Sequence, residues 1–266
     1  MVIRTIAGIL LVPIMTGFLL LPDTYMRAWF LVLSFVAMGE FYSAVLKGKK
    51  MLHLLGYLTA AGYVIFTNHF AIVLTISLIV MLLITVFRHE RININDVSLA
   101  YFGFFYACFL LSFILRVRNI SPGGEFFVWV IFIAAWGSDT GAYLAGKLFG
   151  RHKLTPKLSP NKTIEGAIGG VVFAVLIAVV YNFIVREFFN QQIFVITLIM
   201  VVCGAVVSQF GDLTASAIKR FAKIKDYGSI IPGHGGILDR FDSIILAAPV
   251  IYLILLMFES GWLWFV

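Results

Sequence analysis

Nine stretches of about 20 mostly apolar residues divide this sequence and constrain its fold more than any other feature. A transmembrane α-helix needs about 20 such residues to cross the hydrocarbon core of a bilayer. Charged residues and Pro/Gly clusters separate the stretches, which lie near 5–22, 28–46, 51–68, 70–87, 97–115, 126–146, 166–185, 193–211 and 243–266. The sequence therefore predicts an all-α polytopic integral membrane protein with about nine transmembrane helices.

The composition excludes a water-soluble globular protein. Apolar residues make up 61% of the chain and charged residues only 12%, about half the charged fraction of a soluble domain. Cys108 and Cys203 each lie in an apolar run, so no disulfide framework or CxxC metal site is expected. Arg4 precedes an apolar run as in a signal peptide, but no small-residue cleavage site follows, so we interpret this run as the first span.

Basic residues predict the orientation of the spans. With nine spans, 16 of the 20 Lys and Arg residues fall with the N-terminus and the even-numbered connections. The positive-inside rule then places the N-terminus in the cytoplasm, together with the connections 47–50, 88–96, 147–165 and 212–242. The net charge of +7 therefore suggests cytoplasmic loops and an anionic substrate rather than nucleic acid.

Two predicted cytoplasmic stretches, 139–165 and 212–242, contain 16 of the 33 charged residues. The positive-inside rule explains their Lys and Arg residues but not the carboxylates, Gly, His and Ser mixed with them. We therefore divide the chain into N-terminal helices 1–5 (residues 1–125) and a catalytic region (residues 126–266) with cytoplasmic loops 147–165 and 212–242.

The second stretch predicts a polar helix face and a metal site. If the eighth helix continues past the membrane surface, one face carries Asp212, Ser216, Lys219 and Lys223. Asp239 and Asp242 share a face if the ninth helix has begun. Carboxylates that converge without His or Cys suit Mg²⁺, which prefers oxygen ligands. Between them, residues 232–236 (PGHGG) offer either an ordinary tight turn or a backbone that approaches phosphate closely.

The first stretch contains an acid within an apolar run and a polar helix start. Asp139 must face the bundle interior or a water-filled cavity. Ser159, Lys162, Thr163 and Glu165 resemble an N-capped helix start, with Ser or Thr satisfying free amides and Glu in the first turn. Lys162 beside those amides would make an anion site. Residues 141–147 match the GxxxxGK of a P-loop, but the next residue is Leu148 in a membrane helix, so we regard the match as accidental. Glu40 and Glu259 lie in no such cluster and are expected to make interhelical hydrogen bonds.

Residues 216–242, SAIKRFAKIKDYGSIIPGHGGILDRFD, resemble the complete signature of the phosphatidate cytidylyltransferases, or CDP-diacylglycerol synthases. The SPNKTxEG segment at 159–166 and residues 139–150 are similar to other shared regions of that family. The resemblance implies Mg²⁺ dependence, with a possible second cation, and CTP and phosphatidic acid as substrates. It also implies a homodimer in the inner membrane with its active site on the cytoplasmic face.

In this reading, a lipid phosphate oxygen attacks the α-phosphorus of CTP and releases pyrophosphate. The predicted metal ligands are Asp212, Asp239 and Asp242. The predicted catalytic residues are Asp212, Lys219, Arg220, His234, Asp239 and Arg240. The predicted substrate-binding residues are Ser159, Lys162, Lys225, Gly235, Gly236 and Asp139.

Two other functions fit parts of the sequence. A lipid or polyprenol kinase that uses CTP as phosphoryl donor would release CDP instead of pyrophosphate. A transporter also places acids within the membrane, but here the polar clusters lie at one predicted face of the bilayer. A CDP-alcohol phosphotransferase is disfavoured because its characteristic acidic motif is absent from the sequence.

Overall fold

Helices form almost all the regular structure of the computed structural model, which describes residues 17–120, 122–230 and 235–260. The helices are α1 (Asp23–Val45), α2 (Lys50–Ile65), α3 (Phe70–Phe87), α4 (Ile94–Phe104), α5 (Phe113–Arg118), α6 (Gly124–Phe132), α7 (Ser138–Phe149), α8 (Ile164–Phe189), α9 (Phe194–Phe221) and α10 (Leu238–Glu259). A 3₁₀ turn (Thr67–His69) precedes α3, and π turns lie at Phe105–Phe109 and Ile133–Gly137. Two short strands, β1 (Lys153–Thr155) and β2 (Ser159–Thr163), pair antiparallel.

The described helices confirm the prediction of an all-α polytopic membrane protein. Within the described residues, seven helical segments are long and apolar enough to cross a bilayer: Asp23–Val45, Thr67–Phe87, Ile94–Arg118, Gly124–Phe149, Ile164–Phe189, Phe194–Phe221 and Leu238–Glu259. The predicted span 51–68 corresponds to α2, which has 16 residues and measures about 24 Å, short of the roughly 30 Å hydrocarbon core. Most of the predicted first span, 5–22, lies outside the described residues.

The chain divides by its packing into two units, and the first comprises residues 1–112 and 222–240. Its interior centres on Tyr42, whose side chain is fully buried. The Tyr42 hydroxyl donates to the Ala100 carbonyl over 2.8 Å, so the phenol introduces no unsatisfied polar atom. Gly56 and Gly103 lie directly against the Tyr42 ring, where a Cβ would collide with it. Small residues thus let α2 and α4 approach α1 closely.

The second unit comprises residues 113–221 and 241–266, and its closest helix pair is α7 against α8. The buried face of α8 carries a stripe of small residues, Gly166, Gly170, Ala174 and Ala178. A Cβ on Gly170 would lie 2.7 Å from the Ser138 carbonyl, so the backbones approach as small-xxx-small packing allows. The opposite face exposes large apolar side chains, Ile168, Val172, Leu176 and Val180, as expected of a surface in contact with lipid.

A β-hairpin precedes α8 and includes Ser159 and Thr163, the two candidate caps of this helix. Lys153 pairs with Thr163 and Thr155 with Ser159, so residues 159–163 bond to β1 instead of beginning the helix. The N-cap of α8 is Thr163, whose hydroxyl accepts from Gly166 N–H over 3.1 Å. Of the two residues that the sequence offers as the cap, Thr163 takes this role and Ser159 does not, because residues 159–163 pair with β1.

Helix α9 extends ten residues beyond the predicted apolar span and ends at Phe221. Asp212, Ser216 and Lys219 consequently share a helix face, as their spacing predicts. Lys223 does not join them, because it lies beyond the helix end with a left-handed φ of 55°. The prediction of Lys223 on this face is wrong for that reason.

The length of α8 predicts that its two ends lie on opposite sides of the membrane, and the distribution of basic residues predicts which end is cytoplasmic. Its 26 residues span about 39 Å, which is enough to cross the hydrocarbon core. In a Cys108→Ala, Cys203→Ala background, we expect Gln191→Cys to react with a membrane-impermeant maleimide on intact cells. Lys157→Cys, on the hairpin side and predicted cytoplasmic, should react only after permeabilisation. Reaction of both sites on intact cells would contradict a membrane-crossing α8, and the reverse pattern would contradict the orientation.

Candidate active site

A cavity of about 540 Å³ lies in the second unit, between α7, the hairpin, α8 and α9. Its volume falls within the range of small-molecule sites. Unlike most such pockets it carries several charged groups, and its polar lining residues are Asp139, Lys147, Ser159, Asn161, Lys162, Thr163, Gln209 and Asp212. Four residues predicted to bind substrate or metal, Asp139, Ser159, Lys162 and Asp212, thus line one cavity.

Lys162 and Asp212 form an ion pair across this cavity. Lys162 comes from β2 and Asp212 from α9, so the pair joins two of the predicted polar clusters. Both side chains are partly buried, with 25% and 30% of their surface exposed. An ion pair in such a site is stronger than one in open water. A bound anion would compete with Asp212 for the Lys162 ammonium, and a bound cation would compete with Lys162 for the Asp212 carboxylate.

Gln209 fixes α9 against the two neighbouring helices. Its Nε2 donates to the Ser138 hydroxyl over 3.1 Å and to the Ala167 carbonyl over 2.9 Å. The sequence prediction missed this residue. Its signal was an amide one helical turn before Asp212 within an apolar run, since residues three apart share a helix face.

Negative charge accumulates around Asp242 in the same unit. Asp242, in the first turns of α10, is 9% exposed, and its Oδ1 accepts from Ser243 N–H over 2.8 Å. Its carboxyl interacts electrostatically with Asp139 and Asp212, which repel it, and with Lys219, which attracts it. Mutual repulsion among carboxylates in a partly buried site favours the binding of a cation.

No group of three or more His, Cys, Asp or Glu side chains in the described part of the chain is arranged to hold a metal ion. Among the three predicted ligands, Asp212 and Asp242 belong to the second unit and Asp239 to the first. The Asp239 Oδ2 accepts from Tyr227 N–H over 2.8 Å and from Gly236 N–H over 3.0 Å. Asp239 therefore organises the polypeptide around it, and its role as a metal ligand stays a prediction.

Glu40 binds the backbone just before Asp239, whereas the sequence predicts only interhelical hydrogen bonds for it. Its carboxylate, 7% exposed, accepts from Ile237 N–H over 2.9 Å and from Leu238 N–H over 2.7 Å. Glu40 thus caps the start of α10 within the first unit. The signal in the sequence was an acid inside an apolar run, but its partner lies 197 residues away and could not be found by spacing.

The remaining predicted site residues belong to the signature segment, residues 216–242. Gly235 has a φ of +83°, a backbone conformation that residues other than glycine rarely adopt. Arg220 and Lys225 are exposed, whereas Lys219 and Arg240 are partly buried. His234 and the rest of 231–234 lie outside the described residues. The accidental GxxxxGK at 141–147 lies within helix α7, as expected.

The chain matches the model of the cytidylyltransferase family over residues 2–258. It is 36% identical over 191 residues to the phosphatidate cytidylyltransferase of Bacillus subtilis (strain 168), covering 71% of this chain and 67% of that protein. It is 31% identical to the phosphatidate cytidylyltransferase of Staphylococcus haemolyticus (strain JCSC1435) and 32% identical to that of Staphylococcus aureus (strain COL). Each of these two alignments covers 96% of this chain and 99% of the relative.

The Lys162–Asp212 pair predicts opposite effects on anion binding when its two members are changed. With no divalent metal present, Lys162→Ala should weaken binding of inorganic pyrophosphate about tenfold or more, because charge-assisted hydrogen bonds are strong. Asp212→Asn should tighten it, because the ammonium loses its competitor. Lys157→Ala, an exposed lysine of the hairpin turn, is the matched control. Isothermal titration calorimetry checks this, and equal weakening in all three variants would contradict the assignment.

Proposed function

The chain belongs to the cytidylyltransferase family, and we propose that it transfers the cytidylyl group of CTP to phosphatidic acid. The products are CDP-diacylglycerol and pyrophosphate. The observation that carries the proposal is the charged cavity of the second unit, where Lys162 and Asp212 meet. A cavity that combines lysines with carboxylates, in a membrane-spanning unit, suits a nucleotide triphosphate and the phosphate headgroup of a lipid.

The reaction is an in-line displacement at the α-phosphorus of CTP. A phosphate oxygen of the lipid forms a new bond to that phosphorus, and the bond to the oxygen bridging the α- and β-phosphorus atoms breaks. Pyrophosphate leaves with the electron pair of that bond. A monoester phosphate has a second pKa of about 6, so the attacking oxygen is already ionised near neutral pH. Positioning and charge neutralisation therefore supply most of the rate, and a strong general base is not needed.

Different residues of the cavity provide charge, hydroxyl groups and helix positioning for binding the two substrates. Lys162 and Lys147 provide positive charge for phosphate oxygens, and the Ser159 and Thr163 side chains offer hydroxyl groups beside them. Gln209 keeps α9, and with it Asp212, in place. The sequence-based assignment of phosphate binding to the signature segment stays part of the proposal and covers Lys219, Arg220, Lys225, His234 and Arg240.

The carboxylates of the cavity fit a magnesium ion. Mg²⁺ is commonly bound by one or two carboxylates together with substrate phosphates rather than by a cage of protein ligands. Asp139 and Asp212 supply two carboxylates at one cavity, and Asp242 adds negative charge near them. We assign Asp139 and Asp212 as the residues that would hold the ion, whose charge would neutralise the CTP phosphates.

The apolar helices make this a membrane protein, and the proposal places it in the inner membrane with its active site facing the cytoplasm. The lipid substrate lies in the bilayer and CTP dissolves in the cytosol, so the reaction must take place at their interface. The predicted homodimer remains part of the proposal.

An assay with the purified protein tests the reaction. Given CTP, Mg²⁺ and phosphatidic acid in mixed micelles, it should release one pyrophosphate for each CDP-diacylglycerol formed. Release of CDP with a phosphorylated lipid would instead identify a CTP-dependent kinase. Nucleotide-independent substrate flux into liposomes, with no lipid product, would identify a transporter.

The metal assignment is tested by titrating Mg²⁺ for three variants. Asp139→Asn and Asp212→Asn should raise the Mg²⁺ concentration for half-maximal activity about tenfold or more, because each removes a ligand. Asp239→Asn should lower kcat at an unchanged Mg²⁺ requirement, because Asp239 acts on the backbone. Asp226→Asn, at an exposed acid, is the control. For a variant without activity, Mn²⁺ binding followed by electron paramagnetic resonance gives the same comparison.

A wild-type Mg²⁺ requirement in Asp212→Asn would remove Asp212 from the metal site. A raised requirement in Asp239→Asn would support the assignment of Asp239 made from the sequence.

A further inference from the structure

We infer that Glu40, in helix α1, is a positioning residue for the signature segment. It holds the signature segment in its working conformation without touching the substrates. This inference rests on the proposed cytidylyl transfer. It assigns a role in that reaction to a residue that lies far from the signature in the sequence.

Three consecutive backbone amides lead into α10, and two carboxylates accept all three. Gly236 N–H donates to Asp239 Oδ2 over 3.0 Å. The next two amides, of Ile237 and Leu238, donate to Glu40 over 2.9 and 2.7 Å. Asp239 lies in the segment itself, but Glu40 belongs to α1. Glu40 therefore links the segment to a membrane helix, and Asp239 links Tyr227 to Gly236 within the segment.

Glycines let the backbone approach Glu40 both before and after residues 231–234. Gly228 precedes residues 231–234 and Gly236 follows them. A Cβ on Gly228 would lie 2.6 Å from Glu40 Oε1, and one on Gly236 would collide with both carboxylate oxygens. Gly228 and Gly236, on either side of residues 231–234, thus both pack on the same carboxylate. No larger residue fits at either position unless Glu40 moves.

The start of a helix can stabilise a buried carboxylate. The first amides of α10 have no partner within the helix, and the helix dipole places partial positive charge there. Hydrogen bonds from these amides to an ionised acceptor are stronger than neutral ones. An acid within a membrane helix is otherwise costly, so its placement against these amides indicates a specific role in the unit.

Glu40 acts on the chemistry through the residues attached to this segment. Lys225 lies just before Tyr227, whose amide donates to Asp239, and Arg240 lies two residues after Leu238. A shift of the segment would displace these groups together, and a displacement of about 1 Å can cost about a hundredfold in rate.

Glu40→Gln tests this inference because it keeps the size of the side chain and removes its charge. One Gln oxygen can still accept an amide, but its NH₂ group faces the other N–H. We expect kcat to fall about tenfold to a hundredfold, while KM for CTP and for phosphatidic acid changes less than about threefold. Glu40→Asp keeps the carboxylate and should recover part of the lost kcat.

Tyr42→Phe is the matched control. Tyr42 lies two residues away on α1 and donates one buried hydrogen bond to the Ala100 carbonyl, so its loss tests general weakening of the unit. It should leave kcat within about twofold of wild type. Hydrogen–deuterium exchange provides a readout independent of activity: uptake by a peptide spanning 225–242 should rise in Glu40→Gln and not in Tyr42→Phe.

The outcomes separate the two proposals. If the wild-type protein forms no CDP-diacylglycerol, the proposed function is wrong. Hydrogen–deuterium exchange at 225–242 in Glu40→Gln would still show whether Glu40 holds the segment in place. An active wild type with unchanged kcat and exchange in Glu40→Gln overturns the inference about Glu40 alone. Equal losses of kcat and of melting temperature in Glu40→Gln and Tyr42→Phe would assign Glu40 a general stabilising role and also overturn it.

Discussion

The close packing of α7 on α8 is the contact on which the cavity of the second unit depends. Gly141 and Gly170 let the two backbones approach to distances that a Cβ would prevent. In a membrane, helix association gains little from the hydrophobic effect, so such packing and interhelical hydrogen bonds must provide the stability. The hairpin and α9 complete the cavity around this pair, and the Gln209 amide bonds to both helices. A larger residue along the glycine stripe would therefore alter the position of the charged groups as well as the stability.

Carboxylates serve two different physical purposes in this protein. Asp139 and Asp212 line a cavity, where their charges can meet a cation and where Lys162 neutralises one of them. Glu40 and Asp239 instead accept backbone amides and so fix the conformation of a segment. Both uses satisfy the requirement that charge in or near a membrane be paired or hydrogen-bonded. The distinction matters for mutagenesis, because loss of either kind of carboxylate lowers activity but only the first should change the metal requirement.

Much of the site could be predicted because its residues follow local rules. The spacing of Asp212, Ser216 and Lys219 placed them on one helix face, and α9 does continue to Phe221. The same reasoning failed at Lys223, since a helix end is set by local backbone conformation and spacing alone cannot reveal it. At the start of α8 the sequence left Ser159 and Thr163 open as the cap, and the pairing of two short strands decides for Thr163. Both cases concern where a helix begins or ends, which depends on backbone hydrogen bonds that spacing alone does not reveal.

The sequence by itself determined that the chain crosses a membrane, roughly where it does so, and where its few charges concentrate. The spans can be located from windows of about 20 residues, because a helix of that length crosses the hydrocarbon core of a bilayer and must be apolar throughout it. Only the tertiary structure decided which charged groups meet. The pairing of Lys162 with Asp212 and of Glu40 with amides 197 residues away depends on which helices pack together. Side-chain chemistry specifies that a buried carboxylate must find a partner, but the packing of distant helices selects that partner.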